Sequence, residues 1–263
     1  MSENRTRFRL DQRRAPIYEA LEQFRPHQEE LRRRLIRSFL AVVLTSSVAY
    51  LFKETLAAWC IHPLQRAYPP LEKLVYTNLP EAFLSYIKLS LLVGLIVASP
   101  FVLYQVWLFV APGLLDKEKR MVRRVVLWAT LLFAAGGAFA YFVVLPQILV
   151  YFMSYARPGL EPMLKLGLYL TFTARMVLTF GIAFEIPFLM VMAIRTSLLA
   201  REYFQKKRTA FYIAMVVLSF LLASGELTAT VLLSLPLFAL YEAGIIAARV
   251  FAGPAETTPD IPR

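Results

Sequence analysis

Three glutamates stand where a carboxylate can do specific work. Glu30 lies in EELRRRL, Glu118 in LDKEKR and Glu185 in FGIAFEIP. Glu30 and Glu118 have basic neighbours. A carboxylate accepts the planar fork of a guanidinium through paired, charge-assisted hydrogen bonds. Two such carboxylates on one surface would suit a ligand that carries two arginines. Glu185 differs, because it sits in an apolar run, Thr171 to Ile194, long enough to cross a bilayer. The one other charge in that run, Arg175, is about 15 Å away along a helix, too far for a direct pair. A carboxylate at the midplane of a lone helix costs about 2.5–3.5 kcal/mol on insertion scales, so a functional partner is expected.

Each acid also has a simpler reading. Glu30 can pair with Arg33 or Arg34 on its own helix. Glu118 precedes the third apolar segment, where any acid complements the helix dipole. Glu185 can be neutral and bonded to the carbonyl that Pro187 frees.

No enzyme signature accompanies these acids. The two histidines, His27 and His62, fall outside the spans and on opposite faces, so no intramembrane metal pair is expected. There is no GxSxG, P-loop or HExxH. Cys60 is the single cysteine, so no intrachain disulfide forms. The sequence therefore predicts no enzyme, no cofactor and no metal. Any driven transport must draw on the membrane potential, a proton gradient or partners.

The elements that must position these residues are helices. Hydrophobic residues make up 58% of the chain, which suits a membrane protein rather than a soluble domain. Six segments read as transmembrane helices: Leu35–Trp59, Phe83–Val110, Val125–Phe152, Leu170–Ile194, Thr209–Ser224 and Leu227–Ala248. The fold class expected is all-α and polytopic. The divisions expected are a basic tail over 1–26, a membrane domain over 27–251 and a short tail over 252–263.

Twenty-two of the 29 Lys and Arg residues fall on one side of these segments. The positive-inside rule makes that side, with both termini, cytoplasmic. The net charge of +11 is thus topological and points to anionic lipid headgroups rather than nucleic acid. Arg13-Arg14 does not read as an export signal, because no apolar core follows for another twenty residues.

The loop Trp59 to Ala82 is rich in proline and leaves little room for regular structure. Pro100, Pro146, Pro187 and Pro236 each invite a kink inside a helix. The last two segments are short, about 22–24 Å against a hydrocarbon core of about 30 Å. They form a tight hairpin, and local bilayer thinning or protein neighbours are expected there. Tyrosines and tryptophans near span ends read as interface anchors.

Taken together, the motifs resemble the TatC family, the multispanning subunit of the twin-arginine protein translocase. The resemblance covers about Pro26 to Phe251. It is carried by HQEELRRRL, HPL at Pro63, ASPFVLYQVWLFVAPGL, LDKEKR, FAYFVVLPQ, FGIAFEIP and LPLFALYEAG, in this order. It implies a concave, glove-like bundle in the inner membrane that binds twin-arginine signal peptides of folded precursors. It implies single-span TatA-like and TatB-like partners, self-association in a receptor complex, and export driven by the proton-motive force.

Carried residue by residue, Glu30 and Glu118 match the acids that bind the twin arginines. Arg32 and Arg34 match basic positions beside the first, and Phe109 and Pro100 match positions that support the site. Glu185 matches the family's intramembrane glutamate, linked to partner docking, and Pro63 matches a proline of the first outside loop. One departure stands out. The family's Pro-Pro-Asp turn is here Ser224-Gly225-Glu226, and Thr230 stands near a usual glutamine. Glu226 and Thr230 are placed with Glu185 on the partner-docking side.

The competing reading is a proton-linked secondary transporter built on Glu185. It needs paired polar groups at the midplane, supplied by related halves. The proline spacings are irregular and no internal repeat is visible.

Overall fold

A computed structural model describes residues 28–69, 74–110, 119–156, 162–195, 199–223 and 225–251. The two tails, His27, Glu118 and Ser224 lie outside the described residues. The helices are α1 (Gln28–Leu51), α2 (Lys53–Ala67), α3 (Leu79–Val110), α4 (Lys119–Phe139), α5 (Leu145–Met153), α6 (Leu166–Arg195), α7 (Arg201–Lys206), α8 (Arg208–Leu222) and α9 (Leu227–Phe251). Five stretches are long and apolar enough to cross a membrane, and the fifteen-residue α8 is a shorter sixth. The protein is an all-helical, multi-pass membrane protein, as its sequence predicts.

α6 is the central post. One apolar cluster joins it to α4, α8 and α9 through Met176, Phe180, Leu233, Leu237 and Tyr241. A second joins it to α2, α3 and α5 through Leu64, Leu89, Leu145 and Leu170. Small residues set the closest approach. A Cβ on Gly136 of α4 would lie 2.5 Å from the Phe180 carbonyl oxygen, so only glycine fits there. By contrast α1 is peripheral, with Leu35, Phe39 and Leu44 all more than half exposed, as a lipid-facing helix requires.

The first apolar stretch departs from expectation. It is not one helix over Leu35–Trp59. α1 ends at Leu51, Phe52 leaves helical geometry at φ −104°, ψ 21°, and α2 restarts at Lys53. Lys53 and Glu54 place charge at this point, and an acid in the first turn of α2 suits a helix N-terminus.

The following loop is also more regular than expected, because α2 continues to Ala67 with Pro63 inside it. A proline leaves the carbonyl four residues earlier without its helical donor. That carbonyl belongs to Trp59, and the Tyr141 hydroxyl donates to it at 2.7 Å. The Tyr169 hydroxyl donates to the next carbonyl, Cys60, also at 2.7 Å. Tertiary donors thus replace the bond that the proline removes. Beyond α2, Val75 pairs with the segment before α6: its N–H donates to the Leu164 carbonyl and its carbonyl accepts from Leu166 N–H.

Pro146 also disturbs its helix. Ala140–Val144 forms a π-helical turn directly before Pro146, with the Leu145 N–H donating to the Ala140 carbonyl. Pro187 lies within α6, where Gly244 of α9 packs on it and on Met190.

In the α8–α9 hairpin α8 is short, as expected, whereas α9 runs 25 residues and is long enough to cross a membrane. Arg208 pairs with Glu242 at 3.5 Å, and Tyr212 donates to the same carboxylate, so these groups mark the basic end of the hairpin. At the other end Gly225, at φ 87°, donates to the Phe220 carbonyl and closes α8. That φ is favourable only for glycine. The apolar part between is about 22 Å.

Candidate functional site

Glu30 sits in the first turn of α1, half-buried. Its carboxylate accepts from Arg34 one turn later, with Nε at 3.0 Å and Nη2 also bonded. Of the two intrahelical pairings the sequence allowed, the Arg34 one forms. Glu29, Glu30, Arg33, Arg34 and Arg37 line a recess of about 310 Å³. Arg32 is exposed on the adjoining face of the helix.

The register of α1 on α3 places further residues at this end. The Thr45 hydroxyl donates to the Gly94 carbonyl at 2.8 Å, and a Cβ on Gly94 would lie 2.5 Å from the Ser46 backbone. The helices are antiparallel, so stepping sixteen residues from Ser46 to Glu30 matches the same step from Gly94 to Val110. Glu30 and the half-buried Phe109 therefore lie at the same depth. Pro100 is inside α3, about 14 Å along the axis from Phe109. Glu118, the second candidate acid, lies outside the described residues.

Glu185 is only 4% exposed. One turn earlier, Gly181 faces the Phe133 ring of α4. The Phe133 backbone lies near the Glu185 carboxyl without completing a hydrogen bond, and neither carboxyl oxygen has a partner among the described residues. The alternative bond, to the carbonyl freed by Pro187, does not form. The sequence's anomaly persists in the fold: a buried carboxyl without a donor or a cation. Such a group costs about 1–3 kcal/mol or more.

The remaining candidates are elsewhere. Glu226 caps α9, accepting from the Ala229 N–H and from the Tyr151 hydroxyl at 3.2 Å. The Ala229 amide holds its carboxyl below the usual carboxylate range. Thr230 is buried, and its hydroxyl donates back to the Glu226 carbonyl at 2.6 Å. Gly244 on Pro187 and Met190 fixes the register of α9 on α6, which sets Glu226 beside Tyr169–Phe172. Glu185 is thus about 20 Å further along α6. The structure brings Glu226 and Thr230 together and leaves Glu185 apart. Pro63 lies in α2, at the same end as the hairpin turn, rather than in a loop.

Sequence reasoning missed the tyrosines. Tyr141, Tyr151, Tyr169 and Tyr241 read as interface anchors, yet each hydroxyl bonds another helix or the carboxylate that caps one. Tyr241 is fully buried and donates to the Phe204 carbonyl at 2.7 Å, tying α9 to α7. For Tyr141 the signal was present in Pro63, whose position requires an outside donor for Trp59.

The comparisons agree with this geometry. The family model "Sec-independent protein translocase protein (TatC)" matches residues 26–236. A Desulforapulum autotrophicum protein of that name is 38% identical over 228 residues, which is 87% of this chain and 84% of the relative. The Escherichia coli one is 31% identical over 227 residues, 86% and 88% of the two chains. A solved structure titled "Crystal Structure of Twin Arginine Translocase Receptor- TatC" superposes with a TM-score of 0.80 at 33% identity, covering 86% of this chain and 100% of that one. A membrane bundle with this helix order, register and family match leaves one assignment: the chain belongs to the TatC family and is a multi-pass component of the Sec-independent protein translocase.

Proposed function

We propose that this chain reads twin-arginine signal peptides at its basic, cytoplasmic end and assembles with single-span partners to export folded precursors. The supporting observation is Glu30. It holds a guanidinium from its own helix at the rim of a small recess lined by further arginines. An incoming arginine can take the place of Arg34 and leave the bidentate chemistry unchanged. Glu118 supplies the second carboxylate, Phe109 an apolar wall at the depth of Glu30, and Arg32 and Pro100 support the site. A similar solved chain carries the description of a twin-arginine translocase receptor, which favours this reading.

Glu185 does a later task. Its unpartnered carboxyl favours docking of a polar group from a second membrane helix, of the TatA-like or TatB-like kind, because such a donor would relieve the desolvation. The proton-motive force drives the transport step, and both termini face the cytoplasm of a cell whose inner membrane holds the complex. Glu226 and Thr230 hold the hairpin that flanks this docking surface. The test is peptide binding to the detergent-solubilised protein. Glu30→Arg or Glu118→Arg should weaken a twin-arginine peptide at least tenfold, and a twin-lysine peptide should bind weakly to the unchanged chain. Equal binding of both peptides, or indifference to both reversals, would sink the reading.

A further inference from the structure

At the end opposite Glu30, a recess of about 940 Å³ opens between α3, α5, α6 and the α8–α9 turn. Lys88 of α3, Arg175 of α6 and Lys165 ahead of α6 line it, with Glu81 and Glu226. The two acids are already committed. Glu81 accepts from the Thr77 and Asn78 amides at the start of α3, and Glu226 caps α9. Lys165 acts on Glu81 electrostatically. Lys88 and Arg175 make no ion pair with a described residue.

These two cations lie well along their helices, with side chains exposed to the recess. Each is nine residues into its helix, about 14 Å from the end. Cations at this depth of a bilayer are costly unless an anion or water reaches them. The hairpin supplies the opening. Its turn sits beside Tyr169–Phe172, roughly 5–9 Å short of the start of α6, so the α6 flank carrying Arg175 is not walled off. The remaining lining is mainly apolar, with Asn78, Ser85 and Thr171 among it, and its rim is strongly exposed: Leu168 70%, Leu221 71% and Met163 79%. The recess therefore combines two exposed, unneutralised cations on its wall with a lipid-facing apolar mouth.

We infer that this recess is a phospholipid site, holding a headgroup phosphate between Lys88 and Arg175 with the acyl chains against Leu168, Leu221 and Met163. A phosphate supplies the missing counter-charge, and an amphiphile alone matches both parts of the lining. A headgroup drawn to this depth would thin the bilayer beside the short α8. The inference concerns the end away from the signal-peptide site and does not depend on that site.

Native mass spectrometry of the full chain tests it, with phosphatidylglycerol as probe and a phosphate-free galactosyl diacylglycerol as comparison. Retention of phosphatidylglycerol should exceed that of the glycolipid about tenfold, and Lys88→Gln with Arg175→Gln should remove the difference. Lys88→Arg with Arg175→Lys keeps both charges and should keep the lipid, which separates loss of the site from loss of the fold. A photoactivatable group at Leu168 should capture the phospholipid in vesicles. Equal retention of both lipids, unchanged retention in the glutamine variant, or capture at Leu168 of protein in place of lipid would each overturn the assignment.

Discussion

Replacing Tyr141 with Phe deletes one oxygen and tests how α2 tolerates Pro63. The Tyr141 hydroxyl donates at 2.7 Å to the Trp59 carbonyl, the group that Pro63 deprives of its helical donor. A net hydrogen bond is worth about 0.5–1.5 kcal/mol. Tyr141→Phe should therefore destabilise α2 by about 0.5–1.5 kcal/mol, or about 2–4 °C per kcal/mol in a chain of this size. Pro63→Ala returns an N–H to the Trp59 carbonyl. In that background the same tyrosine change should cost less, with a coupling of about 0.5–1 kcal/mol. Tyr169→Phe is the comparison, because it strips the Cys60 carbonyl, for which Pro63→Ala supplies no new donor. The assay is thermal unfolding in detergent, followed by thiol-dye labelling of Cys60, the single cysteine and itself a residue of α2. Equal losses from Tyr141→Phe with and without Pro63 would refute the reasoning.

Three further outcomes follow from the geometry. Glu185→Leu removes an unpartnered buried carboxyl, so it should raise the thermal stability of the isolated chain by about 1–3 kcal/mol while abolishing export and sparing signal-peptide binding; a variant that exports normally would count against a transport role. Gly136→Val forces a side chain against the Phe180 carbonyl, and unfolding should become easier by about 1–3 kcal/mol, measured by denaturation in mixed micelles. The Glu226 carboxyl is held below its usual 4.5 in the folded chain, so its contribution is present above that value and is lost as pH falls through the lower, folded value. The melting difference between the wild type and Glu226→Gln should be greatest near neutral pH and vanish in acid; a difference independent of pH would contradict the capping role.

The spans were legible because apolar length and charge blocks are local signals. Glu185 was legible for the same reason, as a single acid in an unbroken apolar run. The limits of that reading appear at Phe52 and Pro63. Hydropathy continues across Leu51–Trp59, but the helix breaks where Lys53 and Glu54 introduce charge. Proline statistics argued for a loop at Pro63, and a donor 82 residues from Trp59 in sequence, at Tyr141, overrode them. Such long-range compensation has no local signature. The same holds for the recess: nothing local links Lys88 and Arg175, and only the packing of α3 and α6 beside the α8–α9 turn brings them to one cavity.

The most direct test of the central proposal is site-specific photo-crosslinking at the Glu30 end. Probes at Gln28, beside the recess, and Arg33, in its lining, leave the Glu30 carboxylate in place. Offered a twin-arginine precursor and its twin-lysine counterpart in membranes, the chain should crosslink the first strongly and the second at least tenfold less. Glu30→Gln should reduce the first to the level of the second. Equal crosslinking of both precursors, or crosslinking untouched by Glu30→Gln, would contradict the account.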